Sequence, residues 1–163
     1  MAKILVSACL LGCKVRYNGS DVNVDETCFD QLARYHDVIA FCPEVSAGLP
    51  TPRPAAEIQE GSGIDVLQGK ATVIGTDGVD VSDFFCRGAE MALQKCKDEG
   101  ISLAILTESS PSCGRHSIYD GGFSGGKKPG QEVTTALLSQ HGIKVYSQYE
   151  VCTLMANLPA NAR

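Results

Sequence analysis

Short apolar runs at residues 4–6, 38–41 and 101–106 each lead within a few residues to a cysteine motif. The motifs are Ser7-Ala8-Cys9-Leu10-Leu11-Gly12, Cys42-Pro43-Glu44 and Ser110-Pro111-Ser112-Cys113-Gly114. Runs this short and this rich in Ile, Val and Leu mark buried parallel strands. In an open α/β sheet the carboxyl ends of such strands converge on the edge where ligands bind. The pattern therefore predicts Cys9, Cys42 and Cys113 on one rim. Three thiolates are an incomplete shell for zinc or for an iron–sulfur cluster, and a metal left one protein ligand short is typically one that does chemistry. The plainer alternative is three unrelated buried thiols, because cysteine is a common core residue.

Between the runs the periodicity turns helical. Cys28, Phe29 and Leu32 share a face after a helix start at residues 23–25. Phe85, Ala89, Ala92, Leu93 and Cys96 trace a crossover helix closed by Gly100, and Val133, Ala136, Leu137 and Gln140 trace another ending at Gly142. A last strand at residues 143–146 precedes Ser147-Gln148-Tyr149-Glu150, a capping box that opens a terminal helix through about Met155. Residues 47–57, stiffened by Pro50, Pro52 and Pro54, read as an extended loop. Residues 121–130, with five glycines and two lysines, read as an anion nest, a lid or a plain loop. The alternation predicts an α/β fold: a single domain over residues 1–156, with a mainly parallel open sheet and flanking helices in Rossmann-like layering. A small β excursion is expected around residues 61–81, turning at Asp77-Gly78, and residues 157–163 read as a frayed tail.

A chain of 163 residues suits one domain that needs no metal for stability alone. Its net charge of -5, with no basic run beyond Lys127-Lys128, argues against a nucleic-acid surface and favours a small substrate. No stretch is long enough to span a membrane. The eight cysteines sit in an α/β pattern without an export signal, which points to a reducing cytoplasm. Leu10-Leu11-Gly12-Cys13 resembles a lipoprotein processing box, but the apolar stretch before it is at the short limit for a signal peptide and serves equally well as a first strand. Cys28, Cys96 and Cys152, on helices, are expected to fill the core, as is Cys86. Cys13 is a candidate fourth ligand. His36 and His141 end helices, where a cap role is expected, and His116 lies three residues from Cys113. Soft thiolates select zinc, copper(I) or iron–sulfur clusters over magnesium or calcium. Metalloprotease, phosphate-loop and dinucleotide motifs have no match in the chain.

Taken together, these motifs resemble the thiouracil desulfurase (TudS-type) family. Beyond the three cysteine motifs, the resemblance takes in Arg16-Tyr17-Asn18-Gly19, Gly48-Leu49-Pro50-Thr51-Pro52-Arg53-Pro54, Ile118-Tyr119-Asp120-Gly121 and Phe123-Ser124-Gly125, and so spans nearly the whole chain. It implies a [4Fe-4S] cluster held by Cys9, Cys42 and Cys113, whose fourth iron is open to the thiocarbonyl sulfur of a thiolated pyrimidine. The implied activity is redox-neutral desulfidation of a small thiolated nucleobase. By the same resemblance Glu44 is the acid/base group and Ser110 the second catalytic residue, while Arg53, Ser112 and Tyr17 are expected to bind substrate. The chain departs from the family pattern at Val15 and Asn18, where a cysteine and an aspartate are common. Zinc on the same three thiolates, with Glu44 activating water, is the runner-up, followed by a non-enzymatic metal- or redox-sensing module.

Overall fold

The structure, a computed structural model, describes residues 3–11, 26–50, 54–107, 117–119, 121–123 and 126–157. Strand β1 (Lys3–Ser7) runs into a 3-10 turn at Ala8–Leu11. Helix α1 (Glu26–Tyr35) returns the chain to β2 (Asp37–Phe41), which leads into the one-turn helix α2 (Pro43–Ser46). Next come β3 (Ala56–Gln59), α3 (Gly63–Leu67) and β4 (Thr72–Gly75). The long helix α4 (Ser82–Glu99) precedes β5 (Leu103–Leu106). The hairpin strands β6 (Ser117–Tyr119) and β7 (Lys127–Pro129) lead to α5 (Val133–Gln140), β8 (Lys144–Ser147), a 3-10 turn at Gln148–Glu150 and α6 (Val151–Asn157).

The central sheet has the order β2-β1-β5-β8 and every neighbouring pair is parallel. Side chains alternate between its two faces. Leu5, Ala104, Leu106 and Val145 pack against Ala92, Leu93 and Cys96 of α4 and Leu138 of α5. Ile4, Val6 and Ile105 pack on the other face against Phe29 and Leu32 of α1 and Val151, Leu154 and Met155 of α6. A period of two in the strands thus feeds two cores and produces the expected helix–sheet–helix layering. Each fully buried Ile or Leu contributes about 1.5–3 kcal/mol by leaving water. No helix among the described residues is long and apolar enough to cross a membrane.

The β excursion is larger and more regular than expected: β3 and β4 form an antiparallel pair with α3 between them. Glu57, expected within the extended loop, belongs to β3 and is buried. The end of that loop is drawn into a strand because Ala56 and Ile58 have a third core to enter, with Val73, Phe85 and Val133. The glycine-rich stretch also contains a strand, since β7 pairs antiparallel with β6. At the end of β8 the expected capping box is present, with Ser147 N–H donating to Glu150 Oε1 at 2.9 Å.

The cysteines divide differently from the sequence reading. Cys96 fills the core as expected, and burial pushes its thiol pKa up to about 11. Cys28 also packs against the core, whereas Cys152 does not. The two form a disulfide with a Cα–Cα separation of 5.4 Å, and Cys152 is exposed. Helices α1 and α6 lie on one face of the sheet and both begin on its carboxyl side, so their first turns meet and bring the two sulfurs together.

Candidate functional site

In this sheet order, the chain passes from β1 to β2 on one side and later enters β5 on the other side of β1. The crevice outside the carboxyl ends of β1 and β5 is therefore the topological switch point, where ligands bind in open α/β sheets. The three strands that lead into the cysteine motifs, β2, β1 and β5, are immediate neighbours there. Ser7 closes β1 opposite Phe41 of β2, so the 3-10 turn at Ala8–Leu11 and Cys42 both follow the same end of two adjacent strands. The Ser7 hydroxyl accepts a hydrogen bond from Thr107 N–H at 3.1 Å, tying the ends of β1 and β5 together in a buried position.

Cys42 occupies the N-cap position of α2, with extended backbone angles of -125° and 111° and no side-chain capping bond. Its half-buried sulfur is kept as a thiol and is not used to cap the helix. Pro43 takes the first helical position, where a missing N–H has no consequence. Glu44 follows, 9% exposed. Backbone bonds from Ser46 N–H to Cys42 O, Ala47 N–H to Pro43 O and Leu49 N–H to Glu44 O close the turn. The sequence reading had no helix here. A single turn this short holds because it is pressed onto another element.

That element is α4. A Cβ on Gly88 would lie 2.4 Å from Pro43 O, so only glycine lets the α2 backbone seat this closely. One turn earlier the Phe84 ring reaches Gly48, where an added Cβ would sit 3.8 Å from it. Arg87 Nη1 donates to Ala47 O at 3.4 Å, and its guanidinium lies 5.6 Å from the Phe84 ring centre. Three residues of one helical face thus hold the turn that presents Cys42 and Glu44. The sequence reading missed all three. A glycine inside the helical pattern of residues 85–96 was the available signal, since such a glycine costs about 1 kcal/mol and usually has a packing reason.

Glu44 also borders a cavity of about 290 Å³ between the loop at Leu49 and Pro50, the turn after β4 and the first turns of α4. On the far side of β3, the Glu57 carboxylate accepts N–H groups of Gly121 at 3.0 Å and Phe123 at 3.3 Å, and Gln59 Nε2 donates to Gly121 O at 2.8 Å. The glycine-rich turn is thereby clamped to the excursion.

Of the expected site residues, the structure brings Cys42 and Glu44 into one turn, and the backbone of Cys9 lies in the turn after the neighbouring strand β1. The Cys9 side chain, and Tyr17, Arg53, Ser110, Ser112 and Cys113, lie outside the described residues, as do Cys13 and His116. Among the described residues no three His, Cys, Asp or Glu side chains gather as a metal site. The donor chemistry still fits a soft metal centre: the Cys42 sulfur stands at a ligand-binding strand end, whereas Cys86 has its thiol pKa raised by burial and donates to Val66 O. His141 does what a helix-ending histidine was expected to do, with Nδ1 3.0 Å from Leu137 O.

The sequence model of the 2-thiouracil desulfurase family matches residues 4–150. A curated relative, the uncharacterized protein YbbK of Bacillus subtilis (strain 168), is 43% identical over 148 residues, covering 91% of this chain and 97% of its own. A solved structure described as the [4Fe-4S]-dependent thiouracil desulfidase TudS is also 43% identical and superposes with a TM-score of 0.84. That match covers 97% of this chain and all of the other. The cofactor named for that protein is an iron–sulfur cluster and not zinc.

Proposed function

Because this chain belongs to the 2-thiouracil desulfurase family, we propose that it is an iron–sulfur-dependent desulfidase that hydrolyses the C=S bond of a thiolated pyrimidine without net electron transfer. The observation that carries this reading is the Cys42–Glu44 turn, seated on α4 at the switch-point edge where the neighbouring strand β1 also ends. In this reading Cys9, Cys42 and Cys113 hold a [4Fe-4S] cluster. When bound, such a cluster supplies a soft Lewis-acidic iron with one open position, better matched to a thiocarbonyl sulfur than to an oxygen.

The chain's own residues do the rest. Glu44, nearly buried at the cavity edge, takes a proton from the water that adds to the ring carbon and returns one as the C–S bond breaks. The balance is one thiocarbonyl and one water in, one carbonyl and one hydrogen sulfide out. Ser110 orients the water or relays its proton, and Arg53, Ser112 and Tyr17 hold the substrate.

Anaerobic reconstitution followed by assay with 2-thiouracil tests the reading. A brown protein with about four irons per chain and stoichiometric sulfide release is expected. Glu44→Gln should keep its iron and lose about 100-fold or more in kcat. A colourless, inactive wild-type preparation refutes the reading.

A further inference from the structure

The cavity beside Glu44 is walled in part by the β excursion, through Ala56, Gly75, Asp77 and Val79. Phe84 and Val79 line it together with Pro50 and Glu44, and Asp77 stands on the turn after β4. Asp77 Oδ1 accepts Val79 N–H at 3.1 Å, and among the described residues its carboxylate makes no other hydrogen bond. Gly75 is what allows this placement: a Cβ there would lie 2.6 Å from Asp77 Oδ1. Phe84 is half-buried, with the Arg87 guanidinium 5.6 Å from its ring centre and Gly48 packed beside it. A volume of about 290 Å³ is at the small end for ligand pockets. Among the described lining residues the charged groups are two carboxylates, with no cation.

We infer that Asp77 and Phe84 form the ring-recognition wall of this site: Phe84 supports the face of a planar heterocycle and Asp77 accepts one of its N–H groups. The assignment rests on the desulfidase reading for the identity of the ring. It assigns a substrate role to the excursion between β3 and β4, which the central-sheet chemistry leaves without one. A pyrimidine thione offers the flat apolar faces and ring N–H donors this wall is built for. A phosphate placed beside the Asp77 carboxylate meets like charge, which weakens a nucleotide relative to the free base.

Asp77→Asn tests this, because the amide oxygen can keep the Val79 N–H bond while the charge is lost. In the reconstituted enzyme the KM for 2-thiouracil should rise roughly tenfold, the scale of one hydrogen bond to a charged group, with kcat within about twofold. Phe84→Leu should raise KM about fivefold, the scale of one aromatic contact. In cluster-free protein, saturation-transfer NMR should show uracil binding to wild type and weakened binding to Asp77→Asn. Uridine 5′-monophosphate should bind wild type at least roughly tenfold more weakly than uracil, with the gap narrowing in Asp77→Asn. Unchanged KM and unchanged uracil binding in Asp77→Asn overturn the inference, as does wild type that binds no uracil. Asp77-dependent uracil binding in a protein that releases no sulfide from any thiopyrimidine would refute the desulfidase reading and leave the recognition wall standing.

Discussion

Two sulfur-bearing regions stand at the carboxyl side of the same sheet and have opposite fates. On one face the first turns of α1 and α6 meet, and Cys28 and Cys152 are joined across 124 residues of sequence. At the edge itself, Cys42 is in no disulfide and its turn is seated on α4: Gly88 receives Pro43, and Arg87 donates to Ala47 O. The same side chain is a staple in one setting and a ligand candidate in the other. What separates them is the element behind each cysteine: α1 meets α6, whereas the Cys42 turn rests on α4.

Exchanging the two kinds of cysteine breaks the comparison most directly. Cys42→Ser should reduce iron to background and activity by more than about 100-fold, beyond what losing an outer-shell partner costs. Cys28→Ala with Cys152→Ala should leave iron content unchanged and lower the stability of the oxidised protein by about 2–5 kcal/mol, the range for removing a native disulfide. Iron analysis and denaturant titration separate the outcomes, and loss of iron in the double variant would erase the distinction.

A smaller effect sharpens the other side. Gly88→Ala forces α2 outward by overpacking, at about 1–3 kcal/mol, only partly offset by the roughly 1 kcal/mol gain in helix propensity. The alkylation rate of Cys42 in cluster-free protein should change several-fold while that of Cys96 stays constant. Equal changes at both cysteines would mean general loosening and not displacement of the turn.

The smallest effect concerns α1. His36, which follows that helix, is buried, and desolvation lowers its pKa below 6.5. Above pH 6.5 both folded and unfolded chains carry it neutral, so its contribution to stability is fully present. As pH falls below 6.5 the unfolded chain binds the proton first, and stability is lost progressively down through the folded pKa. Thermal melts between pH 7.5 and 5 should show Tm falling, and His36→Gln should flatten that slope by a small, measurable amount.

Much of the fold was legible in the sequence because its signals are local. Apolar runs ending at Val6, Phe41 and Leu106, helical spacing through Phe85 and Cys96, and the Ser147 capping box each depend on residues a few positions apart. Cys42 and Glu44 were legible for the same reason, lying at a strand end within three residues of one another. The Cys28–Cys152 bond was not, since period and burial identify a helical face without saying which helix it will meet. Nor was the cradle formed by Phe84, Arg87 and Gly88, whose contacts cross some forty residues to reach α2. Glu57 read as the end of an extended loop. Its carboxylate instead accepts two N–H groups more than sixty residues away.

By itself the sequence determined the alternation of strands and helices and the position of the Cys9 and Cys42 motifs directly after strands, because backbone periodicity and turn chemistry act over a handful of residues. Only the tertiary structure decided that β2, β1 and β5 lie side by side, that two of the helix cysteines are bonded, and that α4 supports the Cys42 turn. Those outcomes depend on packing between distant segments, where a single missing Cβ at Gly88 or a shared face of α1 and α6 sets the arrangement.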